Sequence, residues 1–313
     1  MIKSYITIAL RIFRRNGLYV AINLLSLAFA ITSCIIAYTN FSYSRDFDAE
    51  YHRQTDNVYR VNSIRNTDGN QRAVGMVPPA LSNVLEKQIS GIEQVGRLYK
   101  SGVLVKNDDH VFHEQIHYAD NNLFKLFEFP LKYGSIGSFS EYSVVIGETF
   151  AKKYFGDVIP IGKKLSLINT EGHEESFTVT GVLKTPPANS SFHFDIVTPF
   201  SHALRGPLRS RDWHESEFIS TFVEMKASKG TIEKNLTKYA SQYNLAHKSD
   251  TVERFYLQPF NEIAQTSERD FSNYVENREM VSNPRGVVVI VPVVMSILIV
   301  LITCFNFINI SVS

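Results

Sequence analysis

An uncharged stretch of 29 residues, Asn16 to Ser44, constrains the fold of this chain more than any other feature, because it holds no Asp, Glu, Lys, Arg or His. Its centre, Leu18 to Tyr38, is mainly apolar. A helix rises about 1.5 Å per residue, so roughly 20 residues cross the hydrocarbon layer of a bilayer. Backbone amides find no water in that layer, and a helix satisfies all of them internally. We therefore predict a membrane helix over residues 18–38 rather than the buried helix of a soluble core.

A second uncharged stretch, Gly286 to Ser313, lies at the other end of the sequence, and its predicted span is 287–308. Two membrane helices would thus bracket a long polar insert. Asn306 and Asn309 either hydrogen-bond across the helix bundle or mark its cytoplasmic edge, where polar side chains cost little. Pro292 either kinks the second helix or lies harmlessly in its first turns.

Two processed alternatives fit the first stretch less well than an uncleaved anchor. A cleaved signal peptide has an apolar core of about 7–15 residues followed by an A-x-A site, and this stretch is longer and lacks the site. Residues 31–34, Ile-Thr-Ser-Cys, are similar to a lipoprotein cleavage site. The apolar run continues past Cys34, however, where a mature lipoprotein would turn polar.

Charge around the first span sets its predicted orientation, because Lys and Arg in short flanks stay in the cytoplasm. The flank before the span carries four basic and no acidic residues, whereas three of the four charged residues in 45–50 are acidic. We therefore expect a cytoplasmic N-terminus and an extracytoplasmic insert, residues 39–285. Residues 1–17 are expected to form an amphipathic segment on the inner membrane surface, or simply a basic flank.

Composition limits the partners of the insert. The net charge is +1, with 32 basic and 31 acidic residues, which argues against a nucleic-acid partner. Both cysteines, Cys34 and Cys304, lie in the predicted spans, so the insert has no disulfide to form. Its stability must therefore come from the burial of apolar side chains.

Hydrophobic patterning predicts an α+β fold for the insert. Residues 57–65 alternate like a strand, and Pro78-Pro79 begin a helix over 80–89, since proline suits the first helical turn. Further helices are predicted at 121–127, at 148–155 with Gly156 ending it, and at 231–245 with Thr231 as its cap. Further strands are predicted at 94–101, 103–106, 110–118, 143–146, 163–168, 176–183, 192–198, 221–225 and 255–258.

The order of these elements predicts two lobes. Residues 45–101 and 192–264 form a βαβ lobe, and a strand-rich lobe, residues 102–191, is inserted into it. Residues 265–285 are polar and irregular, and we expect a tether that leads to the second span.

The segment 113–117, His-Glu-Gln-Ile-His, matches the H-E-x-x-H signature of zinc peptidases. That chemistry needs a helix, on which residues i and i+4 converge on one metal ion. The β-formers around the segment predict a strand instead, in which His113 and His117 lie about 13 Å apart. Ligand bonds of about 2.1 Å cannot bridge that gap. We therefore expect no zinc site here.

A second motif, residues 156–164 (GDVIPIGKK), is similar to a Walker A loop but has five residues between its glycines instead of four and no Ser or Thr after Lys164. We predict a turn that follows a helix and leads into a strand. No catalytic, cofactor-binding or metal-binding residue can be assigned from the sequence, and no cofactor is expected.

Several stretches, in this order and spacing between two membrane helices, resemble ABC-transporter permeases of the FtsX-like and MacB type. The resemblance covers nearly the whole chain and includes the MacB-like periplasmic core domain of that family. The stretches are 9–31, DNVYRV (56–61), PPALSNVLE (78–86), NNLFKLFEFPLKYG (121–134), 143–165, FTVTGVLKTPPANSSFHFD (177–195), YLQPFNEI (256–263) and CFNFINIS (304–311).

This resemblance implies a non-catalytic permease of the bacterial inner membrane that dimerises, as a homo- or heterodimer, and sits on cytoplasmic ATPase subunits. ATP hydrolysis on that partner would move the extracytoplasmic domains for efflux, lipoprotein release or signalling, a mechanotransmission role. The βαβ lobe would be the porter subdomain of the family. A periplasmic adaptor or cargo would be a further partner. The family has four membrane helices, so we expect this chain to be an N-terminal part of a longer permease.

Two other function classes are compatible with two spans around an extracytoplasmic domain. A membrane-anchored sensor also places an extracytoplasmic domain between two spans, and its sequence would continue into a helical relay and a signalling domain. A membrane-anchored metallopeptidase would bind stoichiometric zinc and lose it in His113→Ala.

Overall fold

A computed structural model describes residues 17–49, 55–67, 69–107, 110–137, 139–169, 172–208, 212–263, 275–276, 280 and 286–312. The chain divides into two compact units, Met1–Asp46 with Pro284–Ser313, and Phe47–Asn283. The predicted amphipathic segment 1–17 lies outside the described residues except for Gly17, as does most of the predicted tether 265–285.

The helices and strands are numbered here in chain order. The helices are α1 (Gly17–Arg45), α2 (Pro79–Gln88), α3 (Asn121–Leu126), α4 (Glu148–Phe155), α5 (Phe200–Ala203), α6 (Lys229–Ala246) and α7 (Gly286–Val312). The strands are β1 (Val58–Thr67), β2 (Asn70–Val74), β3 (Ile92–Asn107), β4 (His110–Ala119), β5 (Leu131–Gly134), β6 (Ser143–Gly147), β7 (Lys164–Ile168), β8 (Glu174–Leu183), β9 (Ile196–Pro199), β10 (Ser220–Met225), β11 (Asp250–Pro259) and β12 (Val275–Glu276).

The first unit holds α1 and α7, two helices long and apolar enough to cross a membrane by length and composition. The mean hydropathy is 2.2 in α1 and 2.6 over Val289–Asn306 of α7. Both predicted helices are confirmed, and each extends beyond its predicted span. Most of their large apolar side chains are exposed, which suits a hydrocarbon surrounding.

The second unit is an α+β domain built on one mixed sheet. Among the described residues its strand order is β12-β2-β1-β10-β3-β4-β9-β6-β8-β5, with β11 also paired to β1 and β7 to both β3 and β8. The pairs β4–β9, β6–β8 and β12–β2 are parallel, and the other pairs are antiparallel. The predicted α+β fold is confirmed.

Three apolar clusters among the described residues hold this domain together. The first lies under α2 and α6, where Ile232, Leu236, Tyr239 and Tyr243 are buried as the helical spacing predicts. The second fills the space between α4 and strands β3 to β8. The third contains seven buried phenylalanines, drawn from both predicted lobes: Phe127, Phe129, Phe139, Phe192, Phe194, Phe222 and Phe260. The division into two lobes stays a prediction, since the sheet runs through both.

Some element boundaries differ from prediction for physical reasons. The predicted break near Gly102 is wrong, because β3 is one strand of 16 residues and pairs with β4 continuously from Leu98 to Asn107. Long-range pairing here outweighs the weak strand preference of glycine. The predicted strand over 192–198 begins only at Ile196, since Phe192 and Phe194 are buried in the phenylalanine cluster. The helix α6 is preceded by Ser228, not by the predicted cap Thr231.

Candidate functional site

The H-E-x-x-H segment lies in β4, as predicted, and its side chains point to opposite faces of the sheet. Alternation along a strand puts His113 and His117 on one face and Glu114 on the other. The contacts agree, because His117 meets the ring of Phe194 at 4.9 Å while Glu114 accepts a hydrogen bond from Tyr154 of α4. The three side chains cannot enclose one metal ion.

Glu114 is engaged in structural contacts with α4. It accepts hydrogen bonds from Lys153 and from the hydroxyl of Tyr154, the latter at 2.7 Å. Burial alone would raise the pKa of this carboxyl, but the hydrogen bonds from Lys153 and Tyr154 outweigh it and lower the pKa below its ordinary value. Glu114 therefore carries a fixed charge that holds α4 against the sheet.

Among the described residues no group of three or more His, Cys, Asp or Glu side chains could hold a metal ion. The Walker-like segment is a turn between α4 and β7, as predicted. Gly156 and Gly162 adopt left-handed conformations, with φ of 62° and 80°, and the amide of Gly162 donates to the carbonyl of Val179 in β8.

A seam of small and polar residues joins the two apolar helices of the first unit. Asn306 donates to Asn23 at 2.7 Å, Thr303 donates to the carbonyl of Ser26 at 3.4 Å, and the hydroxyls of Ser33 and Ser296 lie 2.8 Å apart. Of the two alternatives that the sequence left open, Asn306 therefore takes the hydrogen bond across the helix pair. The side chain of Asn309 lies outside the described part of the chain.

The spacing of this helix seam explains its geometry. The α1 residues in it alternate in steps of three and four, the pattern of a left-handed helix pair. On α7 the seam includes Ser296, whose hydroxyl also donates to the carbonyl of Pro292. Pro292 lies inside α7, in its second turn, which agrees with the predicted place in the first turns. The α1 members are Asn23, Ser26, Ala30, Ser33 and Ala37.

The first residues of the α+β domain are fixed by a contact that sequence reasoning missed. Asp48 is buried, at 3% exposure, and has a φ of 60°, the one positive value among described residues other than glycine. Its carboxylate accepts hydrogen bonds from the backbone amide of Ser191, at 2.6 Å, and from the Ser191 hydroxyl. Phe47 beside it is also buried. An aspartate tolerates this left-handed conformation better than most residues, but no sequence signal identifies it.

Comparisons with known proteins agree with this architecture. The family described as MacB-like periplasmic core domain matches residues 20–243. Among solved structures, a domain of a permease-type protein from Porphyromonas gingivalis matches with a TM-score of 0.53 and 19% identity, over 67% of this chain and 92% of that one. At that identity the match supports the fold alone.

Two further solved structures are similar. The periplasmic region of MacB from Actinobacillus actinomycetemcomitans matches at 19% identity and a TM-score of 0.45, over 68% of this chain and 92% of that one. The extracellular domain of the noncanonic ABC-type transporter YknZ from Gram-positive bacteria matches at 16% identity and a TM-score of 0.44, over 64% of this chain and 100% of that one. A comparison with curated proteins gives no match.

Proposed function

Because the chain belongs to the MacB-like periplasmic core domain family, we propose that it is the membrane subunit of an ABC transporter of the MacB and FtsX-like type. The observation that carries the proposal is the family match to an α+β domain that lies in the sequence between two long apolar helices. The match favours a permease over a receptor or a peptidase. The proposed location is the bacterial inner membrane, with the α+β domain outside it.

The proposed mechanism couples ATP hydrolysis on a separate cytoplasmic subunit to movement of the α+β domain. The helix seam supports this role, because side-chain hydrogen bonds at three levels would let α1 and α7 move as one unit. The buried hydrogen bond between Asp48 and Ser191 would tie the first residues of the α+β domain to the rest of it. A displacement of those first residues would then move the whole domain. Export, lipoprotein release and signalling are the outputs that such a movement could serve, in a homo- or heterodimer and with an adaptor or cargo as a further partner.

Co-purification tests this function directly. A tag on this chain should recover an ABC ATPase from detergent-solubilised membranes, and ATP turnover should fall several-fold when the recovered ATPase is separated from the chain. Recovery of the intact chain without any ATPase would contradict the proposal.

A matched pair of variants tests the coupling step. Asp48→Ala removes the buried carboxylate, whereas Asp157→Ala removes an exposed one from the turn after α4. Asp48→Ala should keep the ATPase bound yet lose its stimulation, and Asp157→Ala should retain both. Equal stimulation in the two variants would exclude Asp48 from coupling.

A further inference from the structure

The α+β domain contains a cavity of about 560 Å³ that no sequence motif marked. Its walls come from α2 on one side and α5 on the other, with the start of α3 between them. Its floor is formed by β3 and the end of β4. This volume lies within the range of about 300–1,000 Å³ that is usual for ligand sites.

The floor of the cavity is rigid because three hydrogen bonds and an aromatic ring hold the side chain of Arg97. Its guanidinium makes two hydrogen bonds to the carboxylate of Asp120, at 2.6 and 3.1 Å, and a third to the side-chain oxygen of Asn83 at 3.1 Å. The same guanidinium lies over the ring of Phe200, 4.8 Å from its centroid. A floor fixed in this way needs no ordering when a ligand binds.

The rim, in contrast, carries polar side chains that make no hydrogen bond to other described residues. Within the described residues no hydrogen bond or ion pair engages the side chains of Glu86, Lys87, Asn121 or Ser201. The side-chain oxygen of Asn83 accepts from Arg97, and its amide hydrogens meet no acceptor in the part of the chain that the structure describes. The rim therefore offers donors and acceptors together.

The charges of the lining select the class of ligand. Glu86 and Asp120 balance Lys87 and Arg97, so the cavity has no net charge with which to attract phosphates or polyamines. The side-chain amides of Asn83 and Asn121 and the hydroxyl of Ser201 can each donate and accept hydrogen bonds. They can therefore pair with peptide units, which also carry one donor and one acceptor each. Apolar side chains complete the lining, namely Pro79, Phe139 and Leu204.

We propose that this cavity binds a short peptide segment without net charge, placed between α2 and α5. The peptide backbone pairs with Asn83, Asn121 and Ser201, while small apolar side chains contact Phe139 and Leu204. This binding needs no ATPase, so its test is independent of the function proposed above.

The experiment uses the full purified chain in detergent. The probe is a pool of tetrapeptides built from Ala, Leu, Ser and Asn, acetylated and amidated at their ends, and binding is read by ligand-observed saturation-transfer NMR. The wild-type chain should transfer signal to members of the pool. Ser201→Trp fills the cavity and should weaken binding about tenfold or more, or 1.4 kcal/mol. The matched control Ser241→Trp, on the exposed face of α6, should bind like the wild type.

A second variant keeps the test informative if the tryptophan disturbs folding. Asn121→Asp is nearly isosteric and exposed, and it should weaken binding of the uncharged pool by placing a negative charge on the rim. Absence of saturation transfer to the wild-type chain would overturn the proposal, and so would equal transfer to all variants. Displacement of the bound peptides by inorganic phosphate or spermidine would overturn the assignment to an uncharged ligand.

Discussion

The side-chain amide of Asn306 donates a hydrogen bond of 2.7 Å to the side-chain oxygen of Asn23, which lies 283 residues earlier in the chain. The bond fixes the register of two antiparallel helices whose other side-chain hydrogen bonds to each other come from Ser and Thr. In hydrocarbon such a bond contributes about 0.6–2 kcal/mol, a modest amount because separated helices also find other partners in the membrane. The two helices should therefore form a defined pair rather than two independent anchors.

Cysteine cross-linking tests that register. In a Cys34→Ser and Cys304→Ser background, Asn23→Cys with Asn306→Cys should form a disulfide within the chain on mild oxidation. The control pair, Leu24→Cys with Asn306→Cys, should not, because Leu24 is 60% exposed and lies off the seam. The readout is protection of both thiols from a mass-tagged maleimide. Equal protection of the thiols in the two pairs would contradict the register in which Asn23 of α1 faces Asn306 of α7.

His117 should make the stability of the domain depend on pH. Burial, with a smaller contribution from Lys100, lowers the pKa of its imidazole to about 3. Below about pH 6.5 the unfolded chain therefore binds a proton that the folded chain does not bind until about pH 3, so stability falls with pH in this window. The loss is about 1.4 kcal/mol per pH unit for one such group.

The variant His117→Leu isolates that effect. Its unfolding free energy relative to the wild type should rise as pH is lowered from about 6.5 to 3. The buried Nδ1 of His117 has no hydrogen-bond partner within the described residues, so its removal leaves no new orphan group. Denaturant titrations across this range give the comparison, with His113→Leu on the exposed part of the same strand as control for strand propensity. Parallel curves for His117→Leu and the wild type would contradict the assignment.

Gly147 should be the least replaceable residue of the junction between β6 and α4. A Cβ added there would lie 2.3 Å from the carbonyl oxygen of Phe194, a backbone atom that cannot move aside freely. Gly147→Ala should cost about 2–4 kcal/mol of unfolding free energy. Gly230→Ala, where nothing lies within 4 Å, should change stability by less than about 0.5 kcal/mol. Thermal unfolding of the two variants shows whether the loss of stability comes from the steric clash at Gly147 or from replacing glycine by alanine in general.

The ion pair of Arg97 and Asp120 should show strong coupling. Both side chains are mostly buried, at 20% and 16% exposure, so loss of either partner leaves the other charge poorly solvated. Arg97→Met and Asp120→Leu should each cost about 3 kcal/mol, and the double variant should cost clearly less than their sum. The exposed pair Lys106 and Glu174 provides the control, with expected coupling below about 1 kcal/mol. If the losses of unfolding free energy in the two single variants simply add in the double variant, the ion pair of Arg97 and Asp120 does not couple the two side chains.

Local signals in the sequence predicted those elements that depend on neighbouring residues. The helix over 148–155 ends where Gly156 takes a φ of 62°, a conformation that glycine adopts without strain. The buried stripe of α6 follows from its spacing. The strand over 143–146 could be predicted because every residue in it is small or apolar, and the structure shows all of them buried.

Features that depend on distant partners could not be predicted. The strand β5, Leu131–Gly134, has only four residues and none of them is buried, and it is held by pairing with β8. The conformation of Asp48 depends on Ser191, 143 residues away. The amide of Asn306 was visible in the sequence, but its choice between a helix partner and the membrane edge needed the register of α1 and α7. The cavity above Arg97 likewise depends on three helices brought together by the sheet.

Membrane topology tests the central claim most directly. In the Cys34→Ser and Cys304→Ser background, a single Ser241→Cys on the exposed face of α6 is treated with a membrane-impermeant maleimide in intact spheroplasts. We predict full labelling without permeabilisation, and labelling of Ser4→Cys in the basic N-terminal flank only after permeabilisation. Labelling of Ser4→Cys from outside, with Ser241→Cys protected until the membrane is opened, would contradict an extracytoplasmic domain held by two membrane helices.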